Sequence, residues 1–155
     1  MQKYTLILLF LFQTTAAFGM TQVERREFLD AIRPEAAHKA GQTVRFKVSK
    51  LNYEKGWAVL VGNLMGVEGK VMDWSKAEEC DPMLDKMLWV VAQKEDKGWR
   101  VKEMFICSSE PPYWYLKPEV AFARPCGIYA GLELGGDETA EQQCRAYNAK
   151  KSPQK

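Results

Sequence analysis

Glu103 is the residue of this chain best placed to do chemistry. It lies in the run Trp99 to Cys107, where strict alternation puts it on one face with Trp99, Val101, Phe105 and Cys107. A carboxyl group entering an apolar cavity has a raised pKa and can serve as general acid or base. Asp73, between Met72 and Trp74, is the candidate second carboxylate of such a site. Met104 and Ile106 mark the opposite face equally well, so the residues alone leave open which side is interior. Glu103 beside Lys102 also reads as a solvent-facing strand residue. No nucleophile accompanies either carboxylate. His38 is the single histidine of the sequence. Its place between Ala37 and Lys39, near a helix end, suits the helix dipole better than catalysis.

The four cysteines, Cys80, Cys107, Cys126 and Cys144, are the second set with chemical potential. Their meaning depends on compartment. Lys3 precedes a short apolar run, Tyr4 to Phe12, and then the small and polar stretch Gln13 to Gly19. That order is the pattern of a cleaved secretory signal over residues 1–19. The run is too short for a membrane span, so no stable transmembrane anchor is expected. An exported chain, periplasmic or extracellular, meets an oxidising compartment, and an even number of cysteines there reads as two disulfides. Three connectivities are open, and sequential pairing, Cys80 with Cys107 and Cys126 with Cys144, closes the shortest loops. A metal site is disfavoured because no C-x-x-C pair occurs and the lone histidine is remote.

Other chemistries lack their patterns. The acidic group Glu78, Glu79, Asp81 and Asp85 has neither the alternating ligands nor the central glycine of a calcium loop, and Lys76 and Lys86 flank it. Gly131, Gly135 and Gly136 do not follow a strand into a helix as a phosphate loop does. No cofactor is expected. A net charge of +2, from 22 basic and 20 acidic residues, falls short of the basic excess of a nucleic-acid binder. Removing Lys3 with the signal lowers that charge by one. The most unusual local composition is Glu110 to Pro118, where three prolines surround Tyr113, Trp114 and Tyr115. Such aromatics anchor protein interfaces when exposed, or complete the core of a small domain when buried.

The elements that must position these residues follow from caps and periodicity. Thr21-Gln22-Val23-Glu24, Ser75-Lys76-Ala77-Glu78 and Thr139-Ala140-Glu141-Gln142 each fit a capping box. The first opens a helix with Phe28, Leu29, Ile32 and Ala36 on one face, kinked or restarted at Pro34 and ended by Gly41. The second is short, interrupted at Asp81-Pro82. The third carries Ala140, Cys144 and Tyr147 on one stripe, so that a bridge through Cys144 staples the last helix to the body. Between them, Val44, Phe46 and Val48 alternate with polar residues, and the parity change to Leu51 and Tyr53 predicts a bulge near Ser49-Lys50. Trp57 to Met65 reads as a central strand, Val71 to Trp74 as a short strand, and Lys86–Lys94 with Trp99–Cys107 as a hairpin. Residues 20–149 then form a single α+β domain, an N-terminal helix packed on an antiparallel meander with a disulfide-stapled C-terminal helical extension. Residues 150–155 read as a disordered basic tail.

Glu54-Lys55-Gly56-Trp57-Ala58-Val59 and Asp96-Lys97-Gly98-Trp99-Arg100-Val101 share one form. They are either a duplicated hairpin with paired tryptophans on a binding face, or two turns with the same chemistry; turn chemistry is the simpler reading. Leu29 to Pro34, Gly41, Val44 to Val48, Gly56 to Val59, Leu88 to Val91 and Gly98 to Val101 together resemble a signature of small secreted bacterial proteins of unknown function. The resemblance covers about residues 25–107 and brings no catalytic residues. The helix-then-sheet order is also similar to cystatin-like and NTF2-like folds, which does not assign function.

Taken together, these residues point to an exported, non-enzymatic binding module. It would contact a protein or cell-envelope component through Tyr113, Trp114 and Tyr115, in an inhibitor or immunity-type role. One alternative is a cystatin- or NTF2-like small-molecule or enzymatic domain with an apolar pocket centred on Glu103. Another is a structural envelope protein.

Overall fold

A computed structural model describes residues 19–151, except 79, 82, 110–117 and 135–136. The first element, α1 (Gln22–Ala40), begins with the full capping box: Glu24 N–H donates to Thr21 Oγ1 at 3.1 Å and Thr21 N–H donates to Glu24 Oε2 at 3.0 Å. The helix runs unbroken past Pro34, where a kink or restart was expected. Pro34 lies on the exposed side, so the carbonyl that its missing N–H leaves unpaired faces water. Gly41 ends the helix in the left-handed region at φ 61°, and a Cβ there would meet the Lys76 carbonyl oxygen at 2.3 Å. Both conformation and space therefore demand glycine.

Four strands follow, β1 (Arg45–Glu54), β2 (Trp57–Met65), β3 (Met87–Glu95) and β4 (Gly98–Ser108). They form an antiparallel meander in the order β1-β2-β3-β4. The expected bulge is present, a register shift between Val48 and Lys50. The central strands are apolar on both faces. Leu60, Leu88, Val90 and Ala92 pack with Phe28, Ile32, Ala36 and Ala40 of α1. Val59, Trp89 and Val91 point the other way, onto Ile128, Tyr129, Leu132 and Cys144. The chain past the sheet supplies this second layer: α2 (Pro118–Ala121), a 3₁₀ helix (Cys126–Tyr129) and α3 (Ala140–Lys151). The helical extension is thus the second cover of the sheet. α3 includes Lys150 and Lys151, two residues into the segment read as a tail.

Both sequential disulfides are present, Cys80–Cys107 and Cys126–Cys144. The second joins the 3₁₀ helix to α3, as the stripe through Cys144 predicts. A loop of its 18-residue separation restricts the unfolded chain by about 3 kcal/mol. Among the described residues no helix is long and apolar enough to cross a membrane.

Three local readings are corrected or narrowed, the tryptophan repeat to turn chemistry without a shared face. The short strand at Val71 to Trp74 and the Ser75 capping box give way to a 3₁₀ helix (Trp74–Lys76) capped by Asp73. Gln42 explains this: its side-chain amide donates to Asp73 O at 2.7 Å, and its Oε1 accepts from Asp73 N–H at 3.2 Å. The backbone there is satisfied without a strand partner, and Ser75 becomes the donor to Asp73 instead of the cap. The repeated tryptophans face opposite sides of the sheet. The first hairpin turns on Lys55-Gly56, with Glu54 opposite Trp57, whereas the second turns on Asp96-Lys97, with Glu95 opposite Gly98. This one-residue offset sends Trp99 against Phe28, with ring centroids 5.1 Å apart, and Trp57 into the second layer. The third correction concerns β4, whose register shifts between Val101 and Glu103. Trp99 and Val101 therefore share the α1 side with Met104 and Ile106, while Glu103, opposite Val91, belongs to the other face.

Ile32 is fully buried at the centre of the α1 layer. Ile32→Ala should lower unfolding free energy by about 3 kcal/mol, read from urea denaturation of the oxidised protein.

Candidate functional site

The second face of β1 is polar, carrying Lys50, Asn52 and Glu54. Strand alternation alone would assign these side chains to solvent. Instead each grips the backbone of the C-terminal layer. Lys50 Nζ donates to the Gly131 carbonyl. Asn52 Nδ2 donates to the carbonyls of Ile128, at 3.0 Å, and Ala130, at 2.9 Å. Glu54 Oε2 accepts from Gly127 N–H at 2.6 Å. A Cβ on Gly127 would sit 2.5 Å from that carboxylate oxygen, so a side chain there would displace the Glu54 carboxylate. The Cys126–Tyr129 helix is thereby strapped across β1, and Cys126–Cys144 ties α3 to it.

Strap and strand leave open space between them. A cleft of about 330 Å³ runs along Leu51 to Glu54, with Gly127 and Ala130 at its base and Glu141 and Arg145 of α3 on the far wall. A second cleft, of about 400 Å³, shares Glu54 and Arg145 and extends to Lys55, Arg124, Cys126 and Asn148. Arg145 donates to Glu141 from Nε at 3.0 Å and from Nη2 at 2.6 Å. That hydrogen bond holds the guanidinium above its usual pKa, with the nearby charges of Glu141 and Glu54 adding to it. The cleft is lined by groups of both signs.

Glu103 is not a free acid in a cavity. Arg124 donates through Nη1 to Glu103 Oε2 at 3.2 Å and through Nη2 to Oε1. The two side chains retain only 8% and 16% of their exposure, so the pair is largely desolvated. Arg124 also lies over the Trp57 ring, 5.5 Å from its centroid. Burial works against the Arg124 charge, but the hydrogen bond and charge of Glu103 outweigh it and raise the Arg124 pKa. Tyr129, also raised by burial, donates its hydroxyl to the Ala121 carbonyl at 2.7 Å. Glu103 thus closes one side of the second layer.

Asp73 is not brought to Glu103. It sits beside Gln42, past the C-terminus of α1, accepts from the Ser75 hydroxyl at 2.6 Å, and is held below the usual carboxylate range mainly by that bond. Glu103 faces the opposite side of the sheet. His38 is exposed in the last turn of α1. Among the described residues no group of three or more His, Cys, Asp or Glu is placed to hold a metal ion. Tyr113, Trp114 and Tyr115 lie outside the described residues. Lys50, Asn52, Glu54, Arg124 and Arg145 were not singled out by sequence reasoning. The signal available was the polar alternation of β1, which is the same for a solvated face and for a face that grips backbone.

No protein-family model, curated protein or solved structure matches the chain.

Two substitutions probe this geometry. Arg124→Met leaves Glu103 buried without its partner and should cost about 3 kcal/mol, while Glu103→Leu/Arg124→Met should cost less than the two single changes together, measured in a double-mutant cycle by urea unfolding. Asn52→Ala strands two carbonyls and should cost about 2 kcal/mol. Hydrogen exchange should then quicken at Ile128 and Ala130 and stay unchanged in β2 and β3.

Proposed function

We propose that the chain is an exported, non-enzymatic binding module that meets a protein or cell-envelope partner, in an inhibitor or immunity-type role. The observation that carries this reading is the fixed cleft between β1 and α3. Its walls are held by side-chain-to-backbone bonds from Lys50, Asn52 and Glu54 and by Cys126–Cys144. A surface ordered before it meets its partner loses little conformational freedom on binding. Glu141 and Arg145 supply charge there.

The two carboxylates that acid–base chemistry would draw on are engaged elsewhere, Glu103 by Arg124 and Asp73 by Ser75. This favours recognition over a pocket centred on Glu103. Export to the periplasm or beyond is supported by the disulfides, which persist in oxidising compartments, and by the signal pattern at residues 1–19. Tyr113, Trp114 and Tyr115 are kept as candidate contacts on their sequence alone.

Saturable binding to immobilised protein from a cell-envelope extract tests the reading. The expected result is one partner retained by the unaltered chain and bound at least about 10-fold more weakly by Glu141→Lys or Trp114→Ala. No saturable partner, or binding indifferent to both substitutions, would overturn it.

A further inference from the structure

β1 is one edge of the sheet, so one side of its main chain has no strand partner. Lys55 and Gly56, at φ 48° and 80°, make the primed turn that closes the first hairpin on a hydrogen-bonded pair, Glu54 with Trp57. Antiparallel pairs alternate between bonded and non-bonded. Asn52 therefore bonds Val59, while Leu51 and Tyr53 turn their N–H and C=O away from β2. Among the described residues no main-chain hydrogen bond outside the sheet takes these four groups. The side chains of Leu51 and Tyr53 pack with the α1 layer. Both residues nonetheless line the smaller cleft, so they reach it through their main chain.

The open stretch is local. Toward its start β1 carries the devices that blunt a sheet edge. Arg33 Nη1 donates to the Val44 carbonyl at 3.2 Å, Arg45 and Lys47 are exposed, and the register breaks between Val48 and Lys50. None of these reaches Leu51 to Tyr53. The charge beside this stretch is negative in surplus. Arg145 pairs with Glu141, whereas Glu54, held at Oε2 by Gly127 N–H, makes no ion pair among the described residues. Lys55 lines only the adjoining cleft.

We propose that the smaller cleft takes an extended peptide segment of a partner protein, added to the β1 edge as a further strand, with Lys or Arg at alternate positions. The proposal rests on the cleft being the recognition surface. Main-chain bonds to Leu51 and Tyr53 hold the segment, and its alternate side chains give selectivity. Side chains on the face of Asn52 and Glu54 enter the cleft, where a cation pairs with the Glu54 carboxylate. Those between them lie beside Leu51 and Tyr53, a place for β-branched residues. The receiving strand is already fixed by β2 on its other side, so little of it needs ordering when the segment arrives.

Amide hydrogen exchange of the oxidised protein is followed by NMR with the capped peptide Thr-Lys-Val-Lys-Thr and its acidic counterpart Thr-Glu-Val-Glu-Thr. Two further forms of the basic peptide are N-methylated at alternate amides. The expected result is exchange at least about 10-fold slower at Leu51 and Tyr53 with saturating basic peptide. The basic peptide should bind about 10-fold more tightly than the acidic one. Glu54→Gln, which keeps the oxygen that accepts from Gly127 N–H, should erase this preference. Methylation at one parity should abolish protection and at the other spare it, because only alternate amides of an added strand face β1. Unchanged exchange at Leu51 and Tyr53, protection at β4 in their place, equal binding of both peptides, or indifference to methylation would overturn the proposal. So would slow exchange at these two amides in the free protein that fades on dilution, since a second copy then fills the edge. An envelope partner that binds and leaves these amides unprotected overturns the added strand while the binding-module reading stands. Peptide protection without any envelope partner gives the converse. The comparison of peptides uses the unaltered protein and so does not depend on the variant folding.

Discussion

β2 and β3 present apolar side chains to both sides of the sheet, and a sheet of this kind must be covered twice. On one side stand Leu60, Leu88 and Val90, and on the other Val59, Trp89 and Val91. Leaving either set in water would forgo about 25 cal/mol for each Å² of apolar surface left uncovered. α1 answers one side with a single helix whose buried stripe is Phe28, Ile32, Ala36 and Ala40. The other side has no comparable helix. Its cover is assembled from α2, a single 3₁₀ turn and α3.

Short elements bury little on their own and need help to stay in place. β1 provides it through polar side chains that bind the backbone of the 3₁₀ helix, satisfying carbonyls and an N–H that this turn leaves unpaired. Cys126–Cys144 then carries the restraint to α3. Glu103 and Arg124 fasten the β4 side. Their pairing shows why a strand carboxylate can sit beneath a helical layer without being an acid catalyst: its charge is matched by a guanidinium that makes two hydrogen bonds to it.

The clefts follow from this construction. A layer assembled from pieces does not seal against the edge strand along its whole length, so space remains between β1 and α3. The groups lining that space are those that hold the layer, or their neighbours. The shape of the cleft and the Cys126–Cys144 bond are therefore physically joined, since one wall depends on the bond.

Much was legible in the sequence wherever a local pattern has one physical solution. The Thr21 box and Gly41 bound α1, the parity change at Ser49-Lys50 marks the bulge, and the apolar runs Trp57–Val61 and Leu88–Ala92 identify the central strands. Loop length ordered the cysteines into their sequential pairs. What the pattern could not show were choices made between distant segments. Whether Lys50, Asn52 and Glu54 meet water or backbone depends on residues about 75 positions away. Likewise, the bulge beside Glu103 has no marker in its own strand, because Trp99, Val101, Phe105 and Cys107 alternate as if β4 were regular. Local periodicity, caps and turns determined the elements and their order. The side that Glu103 faces, its union with Arg124 and the cleft beside β1 were decided only when the second layer closed on the sheet, because each depends on a partner that no local pattern specifies.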